Sequence, residues 1–327
     1  MPILAADTLS HPETGWRIVR LTAVNNDGSQ DTVATFSPDV GANLYQFSVD
    51  AVQYLFDLAE PPLTPTALLG TPVLYPTPNR VRDSAFTFDG HTYRFPPNDG
   101  TRFLHGLVRH LPWELGTPLI DDESVTIETH VNFCPGSEHY SLFPLRNRLA
   151  IRYTLKPGCL RMDFCVENQE EAKRLPFGLA IHPYFRIHGP RESVRITVPA
   201  QKWMEAVDLL PTANLLPMVD GPADISQSTS LANLELDDVF WGMRSEAPSV
   251  IEYDSLGKRV TLSADADFTH AVVYTPQGKP YFCIENQTCS TDAHNLYAAG
   301  RTEAAHLLIL DPGQTWHNAV EIRVSDQ

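Results

Sequence analysis

Hydrophobic residues in this chain recur at every second position in segment after segment, and almost nowhere at a period of 3.6. In SVTIETHVNF, Val125, Ile127, Thr129, Val131 and Phe133 fall on one side of an extended backbone, and Ser124, Thr126, Glu128, His130 and Asn132 on the other. Successive side chains of a strand point to opposite faces, so this is the pattern of a half-solvated antiparallel strand. NRLAIRYTLKPGCLRMDFCVEN reads as a hairpin, with alternation through Leu149, Ile151, Tyr153 and Leu155, a Pro157-Gly158 turn, then alternation through Leu160, Met162, Phe164 and Val166. SVRITVPA, KRVTLSADAD, HAVVYTPQGKPYFCIEN and NAVEIRVSD have the same style. The best helical stretch is short, around Arg301 to His306. The class is therefore all-β, with many antiparallel strands packed as sheets and few short helices. No repeat or low-complexity linker divides the 327 residues, and the chain reads as one domain spanning 1–327.

The segment Asp57 to Asp83 breaks the pattern, with six prolines and little alternation. A long irregular segment in a compact domain is more often functional than idle, and this one ends at Asn79-Arg80. The net charge of −16 excludes nucleic acid and anionic membrane as partners, since phosphate neutralisation needs clustered Lys and Arg. No stretch approaches the ~20 apolar residues of a spanning helix, and the N-terminus has the form of neither a signal peptide nor an anchor. The five cysteines, at 134, 159, 165, 283 and 289, contain no CxxC and suit reduced thiols in a cytoplasm. HxxH, HExxH, GxSxG, GxxxxGK[ST] and GxGxxG are absent, so no metal or cofactor is expected, and the serine-hydrolase, phosphate-loop and dinucleotide readings lose their support.

Two histidine- or glutamate-bearing strands stand out. In LPFGLAIHPYF, a continuous strand puts Phe177, Leu179 and Ile181 on a core face, and Gly178, Ala180, His182 and Tyr184 on the other. Small residues beside His182 would leave open volume next to the imidazole, as in a pocket; a core histidine bonded to backbone is the other reading. Pro183 cannot donate to a ladder, so the strand ends or bulges there. In YFCIENQTCSTDAHN, Glu285 shares a face with Tyr281, Cys283 and Gln287. A partly buried carboxylate has a raised pKa and serves as a base near neutral pH, whereas a solvated strand end would leave it ordinary. His105 precedes a glycine, and Arg80 follows the proline-rich segment. Asp237 and Asp238 form a pair read either as a turn or as a solvated face. Trp113, Trp203, Trp241 and Tyr184 are either core or platforms for a sugar's C–H face.

In this order these segments resemble the aldose 1-epimerase (galactose mutarotase) family over most of the chain. The resemblance is carried by PVLYPTPNRV, FLHGLVRHLPWEL, LPFGLAIHPYFRI, ELDDVF, FCIENQTCSTDAHN and LILDPGQTWHNAVEIRV, with His-Pro-Tyr-Phe and Glu-x-Gln-x-x-x-x-Asp the most specific. It implies a large galactose mutarotase-like β-sandwich (a supersandwich) and a cofactor-free isomerase that interconverts the α and β anomers of a free hexose such as glucose or galactose. Carried over by motif, Glu285 would be the base and His182 the acid, with Arg80, His105 and Asp237 holding sugar hydroxyls. The choice of Asp237 over Asp238 is a matter of alignment. The partner would be a monosaccharide, and the protein a cytoplasmic monomer or homodimer.

The chain departs from the galactose type at Leu107, where a second glycine and a Gly-Phe-Asp-Lys run are usual. A glucose-6-phosphate 1-epimerase relative would need extra cations, for which Arg80, Arg82, Arg102 and Arg109 are candidates, although the acidic chain speaks against that branch. A non-catalytic sugar-binding protein on the same scaffold is a further alternative. A glycoside hydrolase, the last, would use Glu285 and Asp237 as its two carboxylates.

Overall fold

The structure is a computed structural model, and it describes residues 1–56 and 69–327. The first part of the proline-rich segment, residues 57–68, lies outside the described residues. Among the described residues, two large antiparallel sheets dominate. One has ten strands in the order Glu114–Leu115, Val125–Phe133, Asn147–Lys156, Cys159–Asn168, Thr315–Asp326, Lys258–Ala264, Ser249–Tyr253, Val194–Thr197 and Thr229–Ser230, with Leu119–Ile120 also paired to Val125–Phe133. The other has eight: Leu210–Pro217, Lys202–Val207, Asp237–Trp241, His270–Tyr274, Tyr281–Gln287, Ala180–Ile181 and Val73–Leu74, with Tyr184–Arg186 on the far half of Tyr281–Gln287. A five-stranded N-terminal sheet, Ile3–Ser10 through Val52–Gln53, meets the ten-stranded sheet along Val125–Phe133 and Asn147–Lys156.

The period-two segments form the strands expected of them. Val125–Phe133 alternates strictly between buried and half-buried positions. The hairpin pairs Leu155 with Leu160 and Lys156 with Cys159, leaving Pro157 and Gly158 as its two-residue turn. Gly158 takes φ +70°, a conformation L side chains rarely adopt. One apolar cluster joins the inner faces of both large sheets: Leu149, Ile151, Val166, Val320 and Ile322 from one, Phe240, Ala271, Val273, Phe282 and Ile284 from the other. Helices are short. Thr302–Ala305 falls within the stretch read as helical, while Glu138–Leu142 and Ala293–Ala298 have no clear 3.6-residue signature.

The reading of LPFGLAIHPYF as one strand is corrected. Leu175–Phe177 pairs with Leu308–Leu310, Ala180–Ile181 joins the eight-stranded sheet, and Tyr184–Arg186 resumes after Pro183. The break at Pro183 is the one the missing amide requires. The break at Gly178 has a packing cause: a Cβ there would collide with Cys289 Sγ and lie 2.8 Å from Pro78 Cδ. The small side chain therefore admits two neighbours instead of leaving space beside His182. Phe177, Leu179 and Ile181 are fully buried, as their face demanded.

Candidate active site

The outer face of the eight-stranded sheet carries the site, and strand register sets its layout. Asp237 lies opposite Tyr274, Tyr274 opposite Cys283, and Cys283 opposite Tyr184. Directly opposed residues share a face with Cβ atoms ~4.5–5.5 Å apart, so these four form a row across four strands. One step along, Val239 opposes Val272 and Val272 opposes Glu285. Within Tyr281–Gln287, Phe282 and Ile284 enter the main core, which leaves Cys283, Glu285 and Gln287 on the site face. The same alternation separates the paired acids. Asp237 faces the site, while Asp238 turns away and accepts a hydrogen bond from Trp203 Nε1 at 3.0 Å. The pair lies within a strand, Asp237–Trp241, and not in a turn.

A second small sheet delivers the remaining residues. Arg80–Val81 pairs with Phe103–Leu104, and the His105 amide donates to the Asn79 carbonyl at 2.9 Å. Asn79 and His105 both have positive φ, +55° and +70°, so the two chains curl toward the cleft as they leave the pairing. Gly106 follows at φ +67°, and a Cβ there would lie 2.7 Å from the Tyr75 carbonyl carbon. The glycine after His105 is thus required by close backbone approach.

These elements enclose a cleft of about 170 Å³ lined by Asn79, Arg80, His105, His182, Tyr184, Asp237, Tyr274 and Glu285. All five residues singled out in the sequence line it. Asn79 and Tyr274 were missed; only the Asn-Arg sequence and a strand parity without a register hinted at them. Tyr184 stacks on His182 with ring centroids 4.6 Å apart and 13° between planes, and His105 meets His182 edge to face at 5.2 Å. The three tryptophans do not line the cleft: Trp113 is core, Trp203 serves Asp238, and Trp241 packs under Lys202.

At the floor, His182 Nε2 lies 3.1 Å from Glu285 Oε1. Gln287 Nε2 donates to the other carboxylate oxygen at 3.0 Å. Glu285 is 2% exposed, so it is a fully buried group and not a strand end in water. Burial pushes its pKa well above the usual carboxylate range, with the Gln287 hydrogen bond opposing, Asp237 adding to the shift and Arg80 also opposing it. Burial likewise lowers the His182 imidazole to about 3, since desolvation disfavours a charged form. Both partners are driven toward neutrality. Above them, Arg80 is held by Asp99 at 2.9 Å and approaches Asp237 at 3.8 Å. Burial raises the Asp237 carboxyl, and Arg80 counteracts it. Among the described residues, no group of three or more His, Cys, Asp or Glu side chains is placed to hold a metal ion.

A β-supersandwich with a buried imidazole–carboxylate pair at the floor of a small polar cleft is the class these features define. Residues 22–323 match the family model described as aldose 1-epimerase, and the chain belongs to that family. A galactose mutarotase-like protein from Clostridium acetobutylicum superposes with a TM-score of 0.87 at 20% identity, covering 99% of both chains. Galactose 1-epimerase from Lactobacillus acidophilus does so with a TM-score of 0.78 at 16% identity, again over 99% of each. Identities this low show the fold. The pig galactose mutarotase is 25% identical over 158 residues, 47% of this chain and 44% of that protein. The uncharacterized protein YphB of Escherichia coli is 24% identical over 260 residues, 77% of this chain and 82% of that one.

Proposed function

We propose that this protein is an aldose 1-epimerase that interconverts the α and β anomers of a hexose by acid–base opening of the pyranose ring. The observation that carries the reading is the 3.1 Å contact between His182 Nε2 and Glu285 Oε1. Ring opening removes a proton from the C1 hydroxyl and delivers one to the ring oxygen. Both oxygens hang on the same carbon, so the base and the acid must face the same small region of the cleft. Glu285 takes the hydroxyl proton, C1 and its oxygen form a carbonyl, and the C1–ring oxygen bond breaks. The departing electron pair stays on the ring oxygen, which His182 protonates. Rotation about C1–C2 presents the other carbonyl face, and the reverse transfers close the ring.

The protonation states suit this cycle. Before the step the pair holds one proton on His182; after it, one on Glu285. The two states are tautomers of one neutral pair, so its net charge never changes in the buried site. Burial favours the tautomer with both groups uncharged. The charged tautomer is the reactive one, and the short contact lets it form by a single transfer. Acid and base groups of this kind each contribute about 10²–10⁴-fold. Arg80, His105 and Asp237 take the roles of sugar-hydroxyl ligands around the ring. A cleft of about 170 Å³ is smaller than the ~300–1,000 Å³ of drug-sized sites and suits one small ring. A glycoside hydrolase would pair Glu285 with Asp237, which also lines the cleft; the epimerase reading is favoured because the group at contact distance from Glu285 is the His182 imidazole, while Asp237 faces Arg80 at 3.8 Å. Five unpaired cysteines support the cytoplasmic setting.

The test is polarimetry on freshly dissolved α-anomers of hexoses, pentoses and their phosphates. Rotation is expected to decay faster than in buffer for at least one sugar. Buffer-rate decay across the panel, with calorimetry detecting saturable sugar binding, would favour a non-catalytic sugar-binding protein instead.

A further inference from the structure

Gln287 ends its strand and is 0% exposed, yet among the described residues its side-chain amide makes one hydrogen bond, from Nε2 to Glu285 Oε2 at 3.0 Å. The amide oxygen, Oε1, is buried and has no partner among them. Strand register shows why. Gln287 lies opposite Ala180 on one side and His270 on the other. Ala180 offers only a methyl group. Both ring nitrogens of His270 are already engaged, one with Thr269 Oγ1 at 2.9 Å and the other with the Ala304 carbonyl at 3.1 Å. The backbone that follows is fixed as well: Thr288 N–H donates to the Leu179 carbonyl, and Leu179 N–H to Thr288 Oγ1, both at 2.9 Å. The amide is therefore held in one place and serves one partner. A buried acceptor without a donor is destabilising, and an apolar side chain of the same length would avoid it. What the glutamine supplies is its donor on Glu285.

That donor decides where a proton on Glu285 can sit. An amide N–H only donates, so the oxygen it binds has to accept. Oε2 is thereby kept free of the proton. Oε1, which faces His182 Nε2 at 3.1 Å, is the oxygen left to carry it. The proton taken from the C1 hydroxyl and the proton exchanged with His182 then pass through one and the same oxygen. A proton on Oε2 would reach the imidazole only by a turn of the carboxyl, in a site where that residue is 2% exposed. The same hydrogen bond favours the ionised carboxylate and so works against burial.

We propose that Gln287 is a positioning residue for the ring opening: by donating to Oε2 it confines the exchangeable proton to Oε1 and keeps the charged, reactive tautomer within reach. The catalytic part rests on the epimerase reading; the placement of the proton does not. The consequence is quantitative. The one-proton pair divides between an uncharged tautomer and a charged one, with Glu285 ionised and His182 protonated. Loss of the donor disfavours the ionised carboxylate by some factor. That factor lowers the population of the charged tautomer, and with it kcat. It also raises the pH at which the pair gives up its single proton, which is the basic limb of the pH–rate profile. The acid limb reports a second proton arriving on His182 and stays in place. The other groups facing Glu285 are common to wild type and variant. Asp237 and Arg80 act on it in opposite directions. Burial keeps the Cys283 thiol and the Tyr184 and Tyr274 phenols protonated, and the His105 imidazole neutral.

The experiment compares wild type with Gln287→Met, an apolar side chain of similar length. A hydrogen bond to a charged group is worth about 10- to 100-fold. Polarimetry on a sugar that wild type turns over should show kcat lower by that factor with KM kept. The basic limb should move up by the matching shift, about one to two pH units, with the acid limb unmoved. A fall in kcat without that shift is the mark of a merely structural residue and would overturn the proposal. Carbon NMR of the Glu285 carboxyl, identified by its loss in Glu285→Gln, is the readout that needs no sugar. Between about pH 4 and about pH 10 its midpoint should be higher in Gln287→Met by the same one to two units. Equal midpoints, or a wild-type carboxyl that stays protonated throughout, would overturn the proposal and leave the epimerase standing. A shifted midpoint without mutarotation of any sugar would do the reverse. If Gln287→Met does not fold, the Gln287 side-chain amide protons of wild type decide the matter. Their NMR shifts should follow the Glu285 titration, and shifts that ignore it would overturn the proposal.

Discussion

Replacing His182 with glutamine tests the claim that burial keeps the floor of the cleft uncharged. The folded-state pKa of His182 is lowered from 6.5 to about 3 by desolvation, with Arg109 assisting and a backbone hydrogen bond opposing. A depressed pKa means that the histidine's contribution is complete above 6.5 and is lost as pH falls toward 3. Over that window the unfolded chain binds a proton that the folded chain refuses. Between pH 7.5 and 4.5 the histidine's own share spans the two units from 6.5 to 4.5, about 3 kcal/mol; the buried Glu285, which takes up a proton on folding in the same window, acts in the opposite direction and is common to wild type and variant. The variant has no group to titrate at position 182, while its amide can still donate to Glu285 Oε1. Urea unfolding of both proteins at the two pH values, with the slopes checked for constancy, measures the effect. On acidification the stability of wild type should fall by about 3 kcal/mol relative to that of the variant. Equal losses would mean that the proton already sits on His182 as an ion pair with Glu285, and would refute the argument that desolvation wins.

Asp237→Asn should raise KM for the sugar by roughly 10- to 100-fold, whereas Asp238→Asn should appear in thermal unfolding with kinetics preserved, because Asp238 holds Trp203 and faces away from the cleft. Gly178→Ala should cost about 1–3 kcal/mol in chemical unfolding, since the new Cβ meets Cys289 and Pro78. Gly106→Ala should be worse in both stability and kcat/KM: φ is +67°, the obstacle is Tyr75 backbone, and the residue displaced is His105.

What the sequence revealed depended on how local the determinant was. Alternation in Val125–Phe133 and across the Pro157-Gly158 hairpin identifies strands and their buried faces, because a period of two is decided within a few residues. The same parity, applied to Glu285 and Asp237, put each on a definable face. It could not show that those faces coincide, since the row from Asp237 through Tyr274 and Cys283 to Tyr184 exists only in strand register. Nor could it show the depth of Glu285, which follows from neighbours supplied by distant strands. LPFGLAIHPYF misled because an apolar run reads as one strand, whereas Cys289 and Pro78 occupy the place of a Gly178 side chain and divide it.

The account stands most directly on the anomeric exchange rate of a sugar at equilibrium, followed by NMR magnetisation transfer between its α and β C1 protons. With wild-type protein, exchange should rise in proportion to protein concentration for a substrate hexose. With Glu285→Gln, which keeps the carboxamide oxygen beside His182 but removes the base, it should fall by about 10²–10⁴-fold while calorimetry still detects the bound sugar. Exchange at the buffer rate with wild type, or undiminished exchange with Glu285→Gln, would contradict the assignment of Glu285 and His182 as the pair that opens the ring.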